Sequence, residues 1–584
     1  EQLTYLEGLV NDEQQEHVLA HQLTIQHQLT ADLQHQVHYS ADAGTSSSSR
    51  QRQQETSKYS TIDGFSCYKD LQGTFDWMND MVIKGDTIPN LTVTVTDIGD
   101  SYLKTTAADG AAAAGAAAGY DMMAMKITGT GTSSSTNKSV FFAMSGIHAR
   151  EYAPPELASR WAEFLMDAYG TNADITAMLD HTEIHLVFQS NPDGRHVAET
   201  NRNVLRRKNL NPNGNSFLCG SSFGVDLNRN FPFQWGQSSG SSGNKCAETY
   251  RGPEAASEPE VQAIVNYVSS IFPEGQRKAN PEEQKQEAYD ENDTMGIFFD
   301  IHSYGEIIIW PYGHQNLQTG NDSGFLALAN KYRHFNGYDY SGPSNGYLYP
   351  ASGATDDWAY GALGAAGMTF ELGNTFYQDC DYFEESIRDD NIKALTYSAK
   401  TAKAPYSISK GPDVTSLSVK VDGNSLTVTA AASDAAWSSS NHDTSKQGVS
   451  EVRLSINEHP YDSTGVVGSV LSSGSSTVDI SSLPVGRHMV YIQAVDGDGY
   501  KGPVTAAYFV KEGGPTDPSP VASPVSSPPG ECSDTSESFN VDMIDMVKDC
   551  DWLAVNMFRF DFLCQFLDVA NVCPLTCKKC DLFA

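Results

Sequence analysis

Between residues 59 and 405, short apolar runs alternate with longer stretches of mixed apolar and polar positions. The runs Ser139–Met144, Glu183–Phe188, Gly296–Ile301, Glu306–Trp310 and Met368–Glu371 have the length and nearly unbroken apolar character of strands covered on both faces. Pro155–Tyr169 and Glu258–Phe272 are longer and read as helices. Strands alternating with helices predict an α/β fold, an α/β/α sandwich around a mixed, largely parallel sheet. Two stretches interrupt the pattern, an Ala/Gly run at 107–119 and a charged, Gln-rich run at 273–294. Both are expected to be surface loops.

Past residue 405 the period shortens. Ser416–Val421, Leu426–Ala430, Val452–Ile456, Ser476–Ile480, His488–Ala494 and Ala506–Val510 are short alternating runs with no long helical pattern between them. Residues 406–512 are therefore expected to form a β-sandwich of immunoglobulin or fibronectin type. A Pro/Ser-rich linker follows at 513–530, and a Cys-rich module at 531–584 closes the chain. At the other end, residues 1–58 are rich in Gln and His with spaced Leu, which predicts one or two helices ending near Ala41. A polar stretch with Arg50 and Arg52 comes next, so this segment reads either as a tail or as the remnant of an activation segment.

Composition narrows the function. The 584 residues hold 38 Lys and Arg against 73 Asp and Glu, a formal charge of −35. Phosphate contacts need clustered cations, so a nucleic-acid partner is excluded and a basic or neutral substrate fits better. No apolar run reaches the length of a membrane-spanning helix. Of the 10 Cys, six (Cys532, Cys550, Cys564, Cys573, Cys577, Cys580) crowd the last stretch, and only Cys577 and Cys580 have CxxC spacing. That favours a disulfide-stapled module over a zinc ribbon, and with it an oxidising compartment. Four Asn-x-Ser/Thr acceptors, at Asn90, Asn137, Asn292 and Asn321, agree with a secreted glycoprotein whose leader has been removed.

Five segments carry candidate chemistry. His148-Ala-Arg150-Glu151 sits between an apolar strand and a helix, and a close His/Glu pair plus a distant His can supply three ligands for a catalytic zinc. His302 ends the apolar run Phe298-Phe299-Asp300-Ile301, where α/β sheets place functional groups. Glu371 ends another buried run, where desolvation raises a carboxyl toward the range of a useful general base. Leu205-Arg206-Arg207-Lys208 and Asp226-Leu227-Asn228-Arg229 form a cationic patch in an acidic chain, suited to a carboxylate. The fifth is the Gly/Ser-rich loop from Tyr349 to Trp358, with Asp356 and Asp357. Taken singly, each has an ordinary structural explanation.

In this order, the five segments make residues 59–405 resemble the zinc metallocarboxypeptidases of the carboxypeptidase A/B/T type. The resemblance implies one zinc ion held by His148, Glu151 and His302, with Asp226 orienting the first histidine. It implies Glu371 as the general base that activates the attacking water, and Arg207 as the group that polarises the scissile carbonyl. Asn228, Arg229 and Tyr349 would hold the substrate's terminal carboxylate, while Arg150 and Tyr304 would line the outer cleft. Asp356 would floor the pocket for the terminal side chain, implying removal of C-terminal Lys or Arg from peptides and proteins. Acceptance of apolar termini as well, a peptidoglycan-directed peptidase and a catalytically dead binding homologue are the alternatives. The resemblance also implies a Cys219–Cys246 disulfide; Cys67 and Cys380 are left over, and pairing them would tie the entry of the domain to the segment after Glu371. The Cys-rich module resembles a ShK-toxin-like domain, with pairs Cys532–Cys580, Cys550–Cys573 and Cys564–Cys577 and an unknown ligand; the sequence alone leaves 15 connectivities open. The 58-residue N-terminal segment is shorter than the family's usual globular activation domain.

Overall fold

The structure is a computed structural model. It describes residues 58–512 apart from 109–117, 132–136, 214–215, 238–239, 274–288, 342–348, 435–447, 462–467 and 471–472, together with short strands at 539–541 and 546–548. The expectations for the N-terminal segment, the linker and the six cysteines of the terminal module, like most of the two inserted runs, lie outside the described residues.

After a small hairpin, β1 (Thr61–Ile62) and β2 (Phe65–Lys69), the chain builds an eight-stranded sheet. Its members are β3 (Leu91–Asp100), β4 (Asp121–Gly129), β5 (Ser139–Ser145), β6 (Thr182–Val187), β7 (Ile297–His302), β8 (Ile307–Ile309), β9 (Asp339–Ser341) and β10 (Ala366–Glu371). The order across the sheet is β3-β4-β6-β5-β7-β10-β8-β9. Parallel pairing joins β6-β5-β7-β10 and β8-β9, and antiparallel pairing joins β3-β4, β4-β6 and β10-β8. The sheet is thus mixed with a parallel centre, as the alternation of strand and helix patterns implied. Every residue of β5 and of β7 is buried, which is why those runs are largely apolar. Among the helices, Ala153–Ala168, Pro259–Ile271, Asp322–Asn336 and Arg388–Thr401 each bury one face.

Residues 413–511 form two smaller sheets. One has the order β11 (Asp413–Asp422), β12 (Ser425–Ser433), β15 (Ser473–Asp479). The other has the order β14 (Gly468–Val470), β13 (Val449–Ile456), β16 (Gly486–Asp496), β17 (Thr505–Lys511). Leu426, Val428, Val452, Leu454, Val490, Ile492 and Phe509 form a core between them. These strands pack on the larger domain, where Ala173 and Ala177 meet Met489, Tyr491, Val504 and Ala506. Lys331 pairs with Asp413, and Lys400 with Asp174 at 2.7 Å. His181 directly precedes β6, so this contact lies toward the amino ends of the parallel strands, away from the ends that carry His302 and Glu371.

Within that contact the rings of His181 and His459 stack at 3.7 Å, both buried. Burial, then the neighbouring His181, pushes the His459 pKa down to about 2. A histidine kept neutral in the fold but free to protonate when unfolded loses stability as pH falls below its unfolded value. From pH 7 to pH 5 that loss is about 2 kcal/mol for an unfolded pKa of ~6.5. Thermal melts across this range should show the decline, and His459→Phe should flatten it.

Two disulfides tie the larger domain: Cys67 to Cys380, across a separation of 313 residues, and Cys219 to Cys246. The acceptor sites are unequal. Asn90, Asn137 and Asn292 are exposed. Asn321 is buried, and its amide is consumed by the backbone of Tyr289 and the hydroxyl of Tyr360. In the folded chain the Asn321 amide nitrogen is therefore a buried structural donor.

Candidate active site

Local chain geometry brings His148 and Glu151 together. After β5 the chain turns, the Glu151 N–H donates to the His148 carbonyl at 3.1 Å, and a helix with proline in its first turn starts at Ala153. The Asn191 amide pins this turn, donating to the carbonyls of Ile147 at 3.1 Å and Arg207 at 3.2 Å. His302 closes β7 and Glu371 closes β10, directly opposite each other in the parallel ladder. Three adjacent strands thus deliver these groups at their carboxyl ends.

One ligand atom each from His148, Glu151 and His302 lies within 4.8 Å of the others, and all three residues are buried. His148 Nδ1 is 2.8 Å from Glu151 Oε1, His302 Nδ1 is 3.2 Å from Glu151 Oε2, and the two Nδ1 atoms are 3.1 Å apart. The far sides of both rings face carboxylates. His148 Nε2 lies 3.3 Å from Asp226 Oδ1, and His302 Nε2 lies 2.8 Å from Asp300 Oδ2. A carboxylate behind each ring keeps the proton on Nε2 and turns the Nδ1 lone pair inward. Two lone pairs and a carboxylate converging in a buried space repel one another unless a cation lies between them. A donor set of two imidazoles and one carboxylate suits a catalytic zinc, with a coordination position left over for water.

Cationic groups stand beside this cluster. Arg207 donates to Asp226 Oδ2 through Nε at 3.1 Å and Nη2 at 2.9 Å, and its Nη1 lies 3.2 Å from His148 Nδ1. Arg229 is buried, donates to the Gly240 and Asn228 carbonyls, and lies 5.8 Å from the Tyr349 ring, which is 52% exposed. The Asn228 Oδ1 accepts the Thr355 N–H at 3.0 Å, so its Nδ2 faces His302 Nε2 at 3.3 Å. Gly353 lets the Tyr349 loop lie against this segment. Its φ is +72°, and a Cβ there would meet the Arg229 carbonyl at 2.5 Å. Further out, Arg150 stacks on Phe376 at 4.1 Å and Tyr304 meets the same ring edge-on.

The sequence profile described as "Zinc carboxypeptidase" matches residues 114–390. Over those residues the chain is similar to the zinc carboxypeptidases. Rattus norvegicus carboxypeptidase A1 is 30% identical over 282 residues, covering 46% of this chain and 60% of the relative. Mus musculus carboxypeptidase A2 is 31% identical over 246 residues, covering 41% and 52%, and Homo sapiens carboxypeptidase B is 29% identical over 244 residues, covering 41% and 52%. The chain spans between half and three-fifths of the length of these curated relatives. A solved structure of thrombin activatable fibrinolysis inhibitor aligns with 57% of this chain and 74% of its own, at 22% identity and a TM-score of 0.45.

Electrostatics within the larger domain separate its carboxyls. Burial opposes the charge on Glu151, but His148 and His302 outweigh it and hold the carboxyl well below the usual range. Asp226 is held low in the same way, with Arg207 and His148 outweighing its burial. Glu371 goes the other way. Enclosure by protein pushes it up to about 8, with His302 pulling it back and Glu151 adding to the rise. Such opposed environments suit two carboxyls to different roles.

Asp357 is consumed by the fold. Its Oδ1 accepts from the Gly313 N–H, and its Oδ2 from the N–H and ring of His314. Asp356, buried at the start of the helix Thr355–Trp358, is the other member of that acidic pair. Sequence reasoning missed Asn191, Asp300 and Thr355. The signal for Asp300 was present, since it is the one charged residue inside the apolar run Phe298–Ile301.

Proposed function

We propose that this chain is a zinc-dependent metallocarboxypeptidase that removes single residues from the C-termini of peptides and proteins, with a preference for Lys and Arg. The observation that carries the reading is the convergence of the buried ligands His148, Glu151 and His302 with Arg207, Asn228 and Arg229. An exopeptidase must recognise a free carboxylate, and a fixed guanidinium beside an amide and a phenol does so. A zinc ion held by the three ligands would polarise the attacking water and the scissile carbonyl.

The chain's own residues supply the rest. Asn228, Arg229 and Tyr349 hold the terminal carboxylate, which fixes the last peptide bond against the cluster. Arg207 donates to the carbonyl oxygen as negative charge develops there. Glu371 takes a proton from the attacking water and passes it to the leaving amine as the C–N bond breaks. Asp356 receives the terminal ammonium or guanidinium, and Arg150 and Tyr304 line the path of the preceding residues. The two disulfides support an extracellular or lumenal place of work.

The test is hydrolysis of otherwise identical peptides ending in Arg, Lys, Phe or Leu, with and without a zinc chelator. Release of Arg and Lys should dominate, stop on chelation and return with added zinc. Hydrolysis that survives chelation would overturn the mechanism. Equal rates on Arg and Phe would replace the basic preference with dual specificity.

A further inference from the structure

Asp300 is wholly buried in the middle of the sheet, between Met144 of β5 and Thr369 of β10. A carboxylate in such a place is costly, and an apolar residue would suit the strand better. Its Oδ2 is engaged twice, by His302 Nε2 at 2.8 Å and by the Thr355 hydroxyl, which donates at 2.7 Å. Its Oδ1 has no hydrogen-bond partner. No arginine or lysine ion pair to Asp300 occurs among the described residues, unlike Asp226, which binds Arg207.

Thr355 holds a second thread. Its backbone N–H donates to Asn228 Oδ1 at 3.0 Å, and Asn228 Nδ2 returns to His302 Nε2 at 3.3 Å. His302, Asp300, Thr355 and Asn228 therefore form a ring of contacts, in which the approach of Asn228 Nδ2 to His302 Nε2 is a close contact of two donors rather than a hydrogen bond. The Asp300 carboxylate 2.8 Å from Nε2 favours the tautomer that is protonated there. Nε2 of His302 carries its proton and gives it to Asp300, so that ring nitrogen has no lone pair for Asn228. The Asn228 amide, locked in orientation by Thr355, keeps its N–H donors for another acceptor. Thr355 also directly precedes Asp356.

We propose that Asp300 and Thr355 are positioning residues: Asp300 fixes the tautomer and angle of His302, and Thr355 holds both Asp300 and the Asn228 amide in place. The ring joins a metal ligand, a carboxylate-binding amide and the residue before the specificity carboxylate into one unit. The proposal rests on the reading of His148, Glu151 and His302 as zinc ligands.

The experiment is zinc affinity by chelator competition on the full chain, with the visible spectrum of the cobalt-substituted protein as a second readout. The variants are Asp300→Ala, Asp300→Asn, Thr355→Val and Thr355→Ser, and melting of the metal-free proteins serves as control. Removing the carboxylate behind a ligand histidine should weaken zinc by roughly 10–100-fold and shift the cobalt bands. Thr355→Val, which keeps the shape and loses the hydroxyl, should weaken zinc by a smaller factor, and Thr355→Ser should restore it. Asp300→Asn preserves volume and covers the case in which Asp300→Ala does not fold. A folded Asp300 variant that binds zinc as tightly as the parent would overturn the proposal, as would a Thr355→Ser protein no better than Thr355→Val. A parent chain that takes up no zinc would instead overturn the ligand reading itself.

Discussion

Glu371→Gln should lower kcat by about 10²–10⁴-fold, the usual contribution of a positioned general base, while zinc content and melting temperature stay near those of the parent. The glutamine keeps the size and hydrogen-bonding shape of the side chain at the end of β10, opposite His302, but cannot carry a proton from water to amine. Because Glu371 is outside the ligand set, the metal should remain. Substrate affinity should change little, since Asn228, Arg229 and Tyr349 are untouched. The parent should also show a distinctive pH profile. Enclosure raises Glu371 to about 8 against the pull of His302. A base works only when ionised, so kcat/KM should fall as pH drops through a value above the ordinary glutamate range. That acid limb should vanish from the residual activity of the variant. A Glu371→Gln protein within tenfold of the parent would remove Glu371 from the mechanism.

Asp356→Ile should lower kcat/KM for a C-terminal Arg peptide by at least about 30-fold, corresponding to about 2 kcal/mol for losing one partner of a buried charge pair. Activity on a Phe peptide should hold or rise, so the preference inverts. Asp356 is buried, and its Oδ1 accepts the Asp357 N–H at 2.9 Å. Both oxygens of Asp357 are spent on Gly313 and His314, so Asp357→Asn should disturb the loop rather than the selectivity. Asp356 lies at the first turn of the helix Thr355–Trp358, beside the ring that contains Asn228. Steady-state kinetics on the two peptides decide it. An unchanged Arg/Phe ratio in Asp356→Ile would place selectivity elsewhere.

The parts of this molecule that were legible in its sequence are those whose cause is local. Continuous burial writes itself as unbroken apolar runs, which is why β5, β7 and β10 could be placed within a residue or two. His148 and Glu151 meet across a single turn, so their spacing carried information. β3 has the half-buried alternation Leu-Thr-Val-Thr-Val, a weaker signal that a search for apolar runs passes over. The role of Thr355 depends on partners 55 and 127 residues away, and no window of sequence contains them. Asn321 shows the opposite limit. A tripeptide states what can be modified but not whether its amide is already bonded inside the core. The packing of the sandwich against the helix Ala173–His181 was equally invisible, because small residues at such contacts look like any other Ala.

The Cys67–Cys380 bond also bears on the fate of a damaged molecule. Its two ends bracket the strands that deliver His148, His302 and Glu371. A single backbone break anywhere between them opens the chain without dividing it, so both pieces stay covalently attached through sulfur. In surroundings rich in endopeptidases, a nicked copy would migrate as intact protein until reduced, and could keep His148, His302 and Glu371 assembled after the polypeptide had been cut.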